Sequence, residues 1–179
     1  MSEAALGYAV DKGLGPVGIA DVRALPARSN SFDLVLATDV IEHVDDDRSA
    51  VQELARVVGA NGVVLITVPA FQTLWSRHDE VAHHKRRYRR TAVVDLIAAS
   101  GLELEECYYF NFLLFVPILV TRKLLAIFRV KHRGDTALNI GFVNPILLWV
   151  FRRDVDLAPR VRPPFGVSLL ALARKGSAS

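Results

Sequence analysis

Apolar and polar positions fall into two kinds of segment in the middle of the chain. Phe32–Ala37 (FDLVLA) and Val63–Val68 (VVLITV) are short, nearly continuous apolar runs, which is typical of strands buried on both faces. Between them, Asp45–Val58 carries its apolar residues on one helical face and is followed by Gly59, a common helix terminator. The pattern therefore predicts a strand, a helix and a second strand in succession.

Further elements on either side extend this alternation. Because strands alternate with helices, we expect an α/β fold with a mostly parallel sheet. In such sheets ligands bind beyond the carboxyl ends of the strands. The other predicted elements are a helix after the N-cap Ser2, a strand at Val17–Ala20, a helix at Ala92–Ser100, and strands at Leu102–Phe110 and Gly166–Arg174.

Residues 111–164 interrupt the alternation before the last strand. Phe112–Val120 and Ile140–Phe151 are strongly apolar, yet each is shorter than the roughly 20 residues that span a bilayer. The two segments are either helices of a buried cap, which we favour, or interfacial helices that rest on a membrane or hold a lipid-like substrate. We treat residues 1–179 as a single domain in which 111–164 is an apolar helical insertion.

Composition narrows the class of protein. The chain is 51% hydrophobic, and its single cysteine, Cys107, excludes a disulfide framework and favours the cytoplasm. The formal net charge is only +3, but basic residues concentrate in His83–Arg90 (HHKRRYRR). Such a short patch does not favour nucleic acid as a partner, and its place after a strand suits an acceptor site better.

Polar side chains gather where predicted strands end. Asp21 follows the strand at Val17–Ala20, and Asp39, Glu42 and His43 (DVIEH) follow the strand at Phe32–Ala37. Three polar groups within five positions could orient a cofactor, serve as acid or base, or bind a metal. The carboxyl edge of the sheet is therefore the predicted site.

These segments resemble a known family. SFDLVLATDVIEHVDDD, followed by ELARVVGANGVVLITVPA, is similar to the fourth strand, the next helix and the fifth strand of class I S-adenosylmethionine-dependent methyltransferases, and IADVRALP is similar to the third strand and its loop. The resemblance runs from about Ser2 to Phe110 and resumes at the last strand. It implies a partial Rossmann-like class I methyltransferase sheet (strands three to seven) with a helical insertion before the last strand.

The resemblance also implies which residues bind S-adenosylmethionine. The Asp21 carboxylate would accept a hydrogen bond from the adenine amino group, and the Val22 N–H would donate to a ring nitrogen. The backbone of Ala37 and Thr38, with the Thr38 hydroxyl, would lie beside the methionine part of the cofactor. Asp39 would help to orient it.

The segment Leu74–Tyr88 is similar to a stretch that lines the acceptor pocket of bacterial methyltransferases linked to sugar or lipid modification. It implies methyl transfer to a small-molecule or lipid- or sugar-linked acceptor. His78 with Asp79, or His83 or His84, would serve as general base for an oxygen acceptor, since histidine titrates near neutrality, and a surface role is favoured for His83. The implied residues are His78 and His84 as bases, and Trp75, Arg86, Arg87 and Tyr88 as acceptor-binding residues.

One branch of the family, the quinone O-methyltransferases, holds a divalent cation with a similar acidic-x-x-Glu-His pattern. If this pattern is carried over to the present sequence, the resemblance implies Asp39, Glu42 and His43 as the ligands. Glu-His also occurs widely in the superfamily without a metal, so a structural role is favoured and no metal is expected.

The glycine-rich turn and the ribose-binding acid of the family have no counterpart here, because Ser2 matches the cap of the helix that follows them. We expect the true start to lie upstream; the other explanation is a fragment that has lost methylation or pairs with another chain. The absent strands would be central, which predicts exposed apolar faces and unpaired edges. The alternative function is a noncatalytic or membrane-associated module.

Overall fold

A four-stranded sheet forms the core in a computed structural model, which describes residues 3–120 and 143–177. The strands are β1 (Phe32–Thr38), β2 (Val58–Pro69), β3 (Glu103–Phe110) and β4 (Ser168–Arg174), in the spatial order β1-β2-β4-β3. β1 pairs with β2 in parallel, and β4 is antiparallel to both of its neighbours. Among the described strands, three therefore run in one direction and the last runs against them.

The described helices are α1 (Glu3–Asp11), α2 (Asp47–Val57), α3 (Arg77–Val81), α4 (Arg90–Ala99) and α5 (Val143–Val161), with short 3-10 helices at Ile41–His43 and Gln72–Leu74. Of these, α2, α4 and α5 pack against the sheet. α2 shows why the sequence folds locally as it does. The Asp46 side chain accepts a hydrogen bond from the Ser49 N–H at 3.0 Å and so caps the helix.

The hydrophobic core lies between the sheet and the helices α2 and α4. The buried face of α2 includes Val51 and Leu54, and α4 contributes Val93 and Ile97. Full burial of such a side chain contributes about 1.5–3 kcal/mol to the stability of the fold. This packing fixes the carboxyl ends of β1 and β2 relative to each other.

The predicted strands at 32–37, 63–68, 102–110 and 166–174 are confirmed, with small shifts at their ends. Gly59 and Asn61-Gly62 also predict a turn after α2, and this prediction is wrong, because β2 already begins at Val58. Phe32 pairs with Val58 while Leu34 pairs with Val63, so residues 59–62 form an irregularity within the strand pairing. A helix boundary followed by glycines resembles a turn, and only the register reveals the bulge.

The predicted strand at Val17–Ala20 is wrong, since these residues have no regular secondary structure. The described sheet thus holds four of the five predicted strands. A strand forms only where a neighbouring strand pairs with it, and Val17–Ala20 pairs with none of the four described strands.

The prediction of an exposed apolar edge is confirmed. Phe32, Leu34 and Leu36 on β1 are 47%, 55% and 59% exposed. β1 is therefore not buried on both faces as the pattern indicated, because no described element covers this side.

The insertion is described only in part. Residues 115–120 are helical, and α5 extends to Val161, beyond the predicted end at Phe151. The fully buried Asp154 of α5 accepts a hydrogen bond from the Leu113 N–H at 2.8 Å, which links α5 to the end of β3. Residues 121–142, which belong to the predicted apolar range 112–151, lie outside the described residues. Among the helices that are described, none is both long and apolar enough to cross a bilayer.

Candidate active site

A cleft opens beside the carboxyl end of β1. Its volume is about 600 Å³, and its walls are residues 20–23, which precede β1, and residues 39–40 and 43–45, which follow it. Small-molecule sites typically measure about 300–1,000 Å³. The cleft brings together Asp21, Val22 and Asp39, which are three of the five predicted cofactor-binding residues.

Asp21 lies at the rim of the cleft in an ion pair with Arg23. The Arg23 guanidinium donates to both carboxylate oxygens, at 2.7–3.2 Å. The hydrogen bonds from the Arg23 side chain and backbone lower the pKa of Asp21 to about 2, so the carboxylate is ionised. Both side chains are about half exposed, and such pairs are weak. An incoming donor could therefore displace Arg23 at low cost.

Asp39 begins the loop after β1 in a left-handed backbone conformation, with φ 52°. Its N–H donates to the Thr67 carbonyl at 3.0 Å, which ties the loop to β2. Aspartate tolerates this conformation better than most residues. The other two predicted cofactor-binding residues do not line the cleft. Ala37 is 2% exposed and belongs to the core, and Thr38 is exposed but lies outside the cleft wall.

Glu42 is the most unusual group of the site. Its side chain is fully buried, and neither carboxylate oxygen has a hydrogen-bond partner among the described residues. Burial raises the pKa of Glu42 to about 7. A buried, unpartnered carboxylate is costly, and such groups cluster at functional sites.

His84 faces Glu42 from a different segment. The His84 Nε2 lies 4.0 Å from Glu42 Oε1, and the Lys85 N–H donates to the Glu42 carbonyl at 2.7 Å. The segment is anchored by backbone hydrogen bonds between Tyr88 and both Pro69 and Phe71, each 2.9 Å. The 3-10 helix at Ile41–His43 and the segment around His84 are therefore held side by side.

A buried ion pair fixes the His84 ring. Asp79 is fully buried, and its Oδ1 lies 2.9 Å from the His84 Nδ1. The same carboxylate accepts two hydrogen bonds from Arg87, at 2.7 and 3.0 Å. Burial alone would raise the pKa of Asp79, but the hydrogen bonds from Arg87 and His84 outweigh it and lower that pKa. Asp79 is therefore an ionised acceptor.

Three of the predicted acceptor-binding residues make hydrogen bonds within the fold. Arg87 is buried and donates to Asp79 and the Ala70 carbonyl, and the buried Tyr88 hydroxyl donates to Asp47 at 2.8 Å. Arg86, whose side chain is 38% exposed, donates to Asp47 at 3.0 Å and to the Asp45 carbonyl at 2.7 Å. The acceptor-binding role of these three residues stays a prediction.

Two further predicted residues lie outside the cleft lining. His78 is exposed on α3, and its ring centre is 6.2 Å from that of His84. Trp75 is half-buried just before α3. Of the two candidate bases, the geometry thus favours His84, whose ring a buried carboxylate orients.

Sequence reasoning missed the pairing of Asp79 with His84 and Arg87. A signal was present: Ser76 and Asp79 have the spacing of a capping box, and the Ser76 N–H does donate to Asp79 at 2.8 Å. That spacing predicts an inward-facing aspartate at the start of α3. The spacing does not reveal that His84 and Arg87, five and eight positions further along the chain, bond to Asp79.

The sheet and the cleft at its carboxyl edge define a Rossmann-like α/β protein. Residues 1–66 match the model of a family described as "Methyltransferase domain". A malonyl-[acyl-carrier protein] O-methyltransferase of Enterobacter lignolyticus is 35% identical over 92 residues, which are 48% of this chain and 36% of that protein. The chain thus matches only about a third of the length of this curated relative.

Solved structures agree at the level of the fold. A SAM-dependent methyltransferase of Thermotoga maritima has a TM-score of 0.58 at 19% identity, with 97% of this chain and 70% of that chain covered. Geranyl diphosphate methyltransferase in complex with S-adenosylmethionine (SAM) has a TM-score of 0.56 at 12% identity, with 94% and 62% covered. Together with the family match, these findings confirm the resemblance to class I SAM-dependent methyltransferases.

Proposed function

We propose that this protein takes part in methyl transfer from SAM to a small-molecule or lipid- or sugar-linked acceptor, with the cofactor bound in the cleft beside β1. The observation that carries the proposal is the cleft itself, which brings Asp21 and Asp39 together at the carboxyl edge of the sheet. Ligands of open α/β sheets bind at this edge.

The residues of the cleft suit a cofactor that carries an adenosine group and a positive charge. Asp21 is ionised and about half exposed, so its oxygens are open to an amino group. Asp39 is exposed and adds a second carboxylate to the same cleft. When bound, SAM supplies an electrophilic methyl group on a sulfonium. The protein's own contribution is largely to position donor and acceptor.

An oxygen acceptor also needs to lose a proton, and the candidate base is His84, whose ring contacts His43 in the wall of the cleft. Because Asp79 is an ionised acceptor, the His84 Nδ1 must carry the ring proton, which leaves Nε2 free to accept another. A carboxylate that orients an imidazole in this way is a recurrent arrangement in general-base catalysis. The Enterobacter relative is named an O-methyltransferase, which supports an oxygen acceptor here.

Transfer of a labelled methyl group tests this function. The protein is incubated with methyl-labelled SAM and with separate aqueous and lipid extracts as acceptor sources. We expect label in one acceptor fraction for the wild type and strong loss for Asp21→Ala, with Asp11→Ala as a matched exposed-acid control. SAM binding without any transfer to either fraction would contradict a catalytic role.

The role of His84 as base is tested by comparison with His78. Once an acceptor is known, His84→Asn should lower kcat by about 10²–10⁴-fold, whereas His78→Asn should leave kcat within about twofold. Equal turnover of the wild type and His84→Asn would remove the base from the proposal.

We further propose that the insertion contacts a lipid surface. Five apolar side chains in the first half of α5 are 40–60% exposed, and Arg152 and Arg153 follow them directly. Apolar residues beside basic ones favour an anionic membrane surface. These five residues are Ile146, Leu147, Leu148, Trp149 and Phe151. Flotation with anionic vesicles should recover the wild type and lose Leu147→Ser/Trp149→Ser; a wild type that stays with the unbound protein would refute lipid contact.

A further inference from the structure

The Glu42 carboxylate is buried without a hydrogen-bond partner among the described residues. Glu42 lies fully buried in the 3-10 helix Ile41–His43 after β1, and neither of its carboxylate oxygens has a hydrogen-bond partner among the described residues. The nearest basic groups are the Nε2 atoms of two histidines, each 4.0 Å from Glu42 Oε1. Burial of an unpaired polar group destabilises the folded state, so each such group in a native structure needs an explanation, such as a catalytic role or a bound ion.

A hydrogen bond fixes which nitrogen of His84 faces Glu42. The His84 Nδ1 lies 2.9 Å from Asp79 Oδ1, and the Nε2 on the other side of the ring lies 4.0 Å from Glu42 Oε1. A histidine whose other ring nitrogen bonds to a carboxylate is the usual arrangement at metal sites.

His43 completes a three-residue cluster. The available ligand atoms of Glu42, His43 and His84 all lie within 4.8 Å of one another. The His43 and His84 rings meet edge to face with their centres 4.7 Å apart. Since His43 is 39% exposed and lines the cleft, the cluster is open to ligands there.

We propose that Glu42, His43 and His84 bind a divalent transition-metal cation, with zinc as the best-matched ion. Two imidazoles and one carboxylate form a common three-ligand zinc set, which leaves a fourth position for water or substrate. This set differs from the one that the sequence suggested, because His84 takes the place of Asp39. The inference rests on geometry alone and does not depend on methyl transfer.

The three ligand atoms must move closer together to bind zinc. Zinc lies about 2.0–2.2 Å from such ligands, so neighbouring ligand atoms of a tetrahedral site are about 3.3 Å apart. The two 4.0 Å separations therefore need to close by about 0.7 Å, and the separation of the two histidine nitrogens, which is within 4.8 Å, by up to about 1.5 Å. His43 is partly exposed and can move, whereas Asp79 and the backbone bond from Lys85 hold His84 near its present position.

A bound cation would also change how an acceptor loses its proton. His84 could not act as a base while its Nε2 is a ligand, but a cation lowers the pKa of a bound hydroxyl or water by several units. The two states predict different chemistry for the same histidine. Metal binding itself is therefore the property to measure first.

The test is a titration of EDTA-treated, dialysed protein with Zn²⁺ by isothermal calorimetry, together with its unfolding temperature. The wild type should bind one Zn²⁺ per chain and unfold at a higher temperature when zinc is present. His84→Asn and His43→Asn should each raise the Kd by at least about tenfold, and Glu42→Gln should do the same. SAM binding, measured separately, distinguishes failure here from failure of the proposed function.

His83→Asn is the matched control. His83 is the exposed neighbour of His84, and its φ of 58° is one that asparagine also adopts, so the change should leave the Kd within about twofold. Circular dichroism checks that each variant is folded, and His43→Asn, at a partly exposed position, keeps the test valid if Glu42→Gln does not fold. Absence of zinc binding to the wild type, or binding that His84→Asn and His43→Asn leave unchanged, would overturn the proposal.

Discussion

At the scale of single residues, buried charge organises the site. Arg87 and Asp79 form a bidentate ion pair in the interior, and the same aspartate orients His84. Removal of one member of such a pair leaves the other charge buried without compensation, which is far more costly than loss of a surface pair. The pair therefore supports both the stability of the fold and the geometry of the cluster around Glu42.

We expect Asp79→Asn to lower the free energy of unfolding by about 3–5 kcal/mol, because the Arg87 guanidinium would stay buried without its counter-charge. Glu80→Gln is the control: this neighbour is exposed, and its change should cost less than about 0.5 kcal/mol. Urea denaturation of the three proteins measures both effects. Equal midpoints for Asp79→Asn and the wild type would contradict a stabilising role for the pair.

At this scale the sequence identifies the kinds of residue but not their partners. Asp39 follows from its position after β1, whereas Asp21 and Val22 follow from the resemblance alone, because the strand predicted before them does not form; the structure brings all three to one cleft. The sequence predicts Arg87 and Tyr88 as acceptor-binding residues within a basic segment, yet both side chains are buried. Their burial depends on Asp79 and Asp47, and contacts of this kind are not encoded in local spacing.

At the scale of elements, close backbone packing sets the start of β4. A Cβ at Gly166 would overlap the Phe110 carbonyl oxygen and lie 3.0 Å from the Tyr109 Cβ. Phe110 pairs with Ser168, so Gly166 sits where the end of β3 meets the entry to β4. A side chain at this point would push the two strands apart.

Gly166→Ala should lower the free energy of unfolding by about 1–3 kcal/mol through this overlap. Gly15→Ala is the matched substitution, since nothing lies within 4 Å of the Cβ that it adds. Thermal unfolding of both variants gives the comparison. If the two had the same unfolding temperature, the close approach at Gly166 would have no energetic consequence.

Elements with a strong apolar pattern were predictable, whereas those that depend on a neighbour were not. β1 and β2 follow from their apolar runs, and α2 follows from its amphipathic period and its cap at Asp46. Val17–Ala20 has a similar apolar run but no partner among the described strands, so it does not form a strand. Strand formation is a property of the pair, which local sequence does not specify.

At the scale of the whole molecule, the outer face of β1 is the main exposed apolar surface of the described sheet. Leu34 and Leu36 are each more than half exposed, and β1 lies at the edge of the sheet. Exposed apolar edge strands tend to pair with other chains. We therefore expect the protein to associate with itself as its concentration rises.

Leu36→Glu should reduce this association, because a charge on the edge strand opposes pairing with a second copy. Val81→Glu is the control, at another exposed apolar position, on α3, and it should leave the association unchanged. Sedimentation velocity over a range of concentrations measures both. Unaltered association of Leu36→Glu would show that β1 is not the contact surface.

Isothermal calorimetry with SAM measures whether the cleft beside β1 binds the cofactor. We expect binding to the wild type, with affinity reduced by at least about tenfold in Asp21→Ala, since a charged hydrogen bond contributes about 1.5–3 kcal/mol. Asp11→Ala, at an exposed position on α1, should bind as the wild type does. Absence of binding to the wild type, or equal affinity in Asp21→Ala, would refute SAM binding in this cleft.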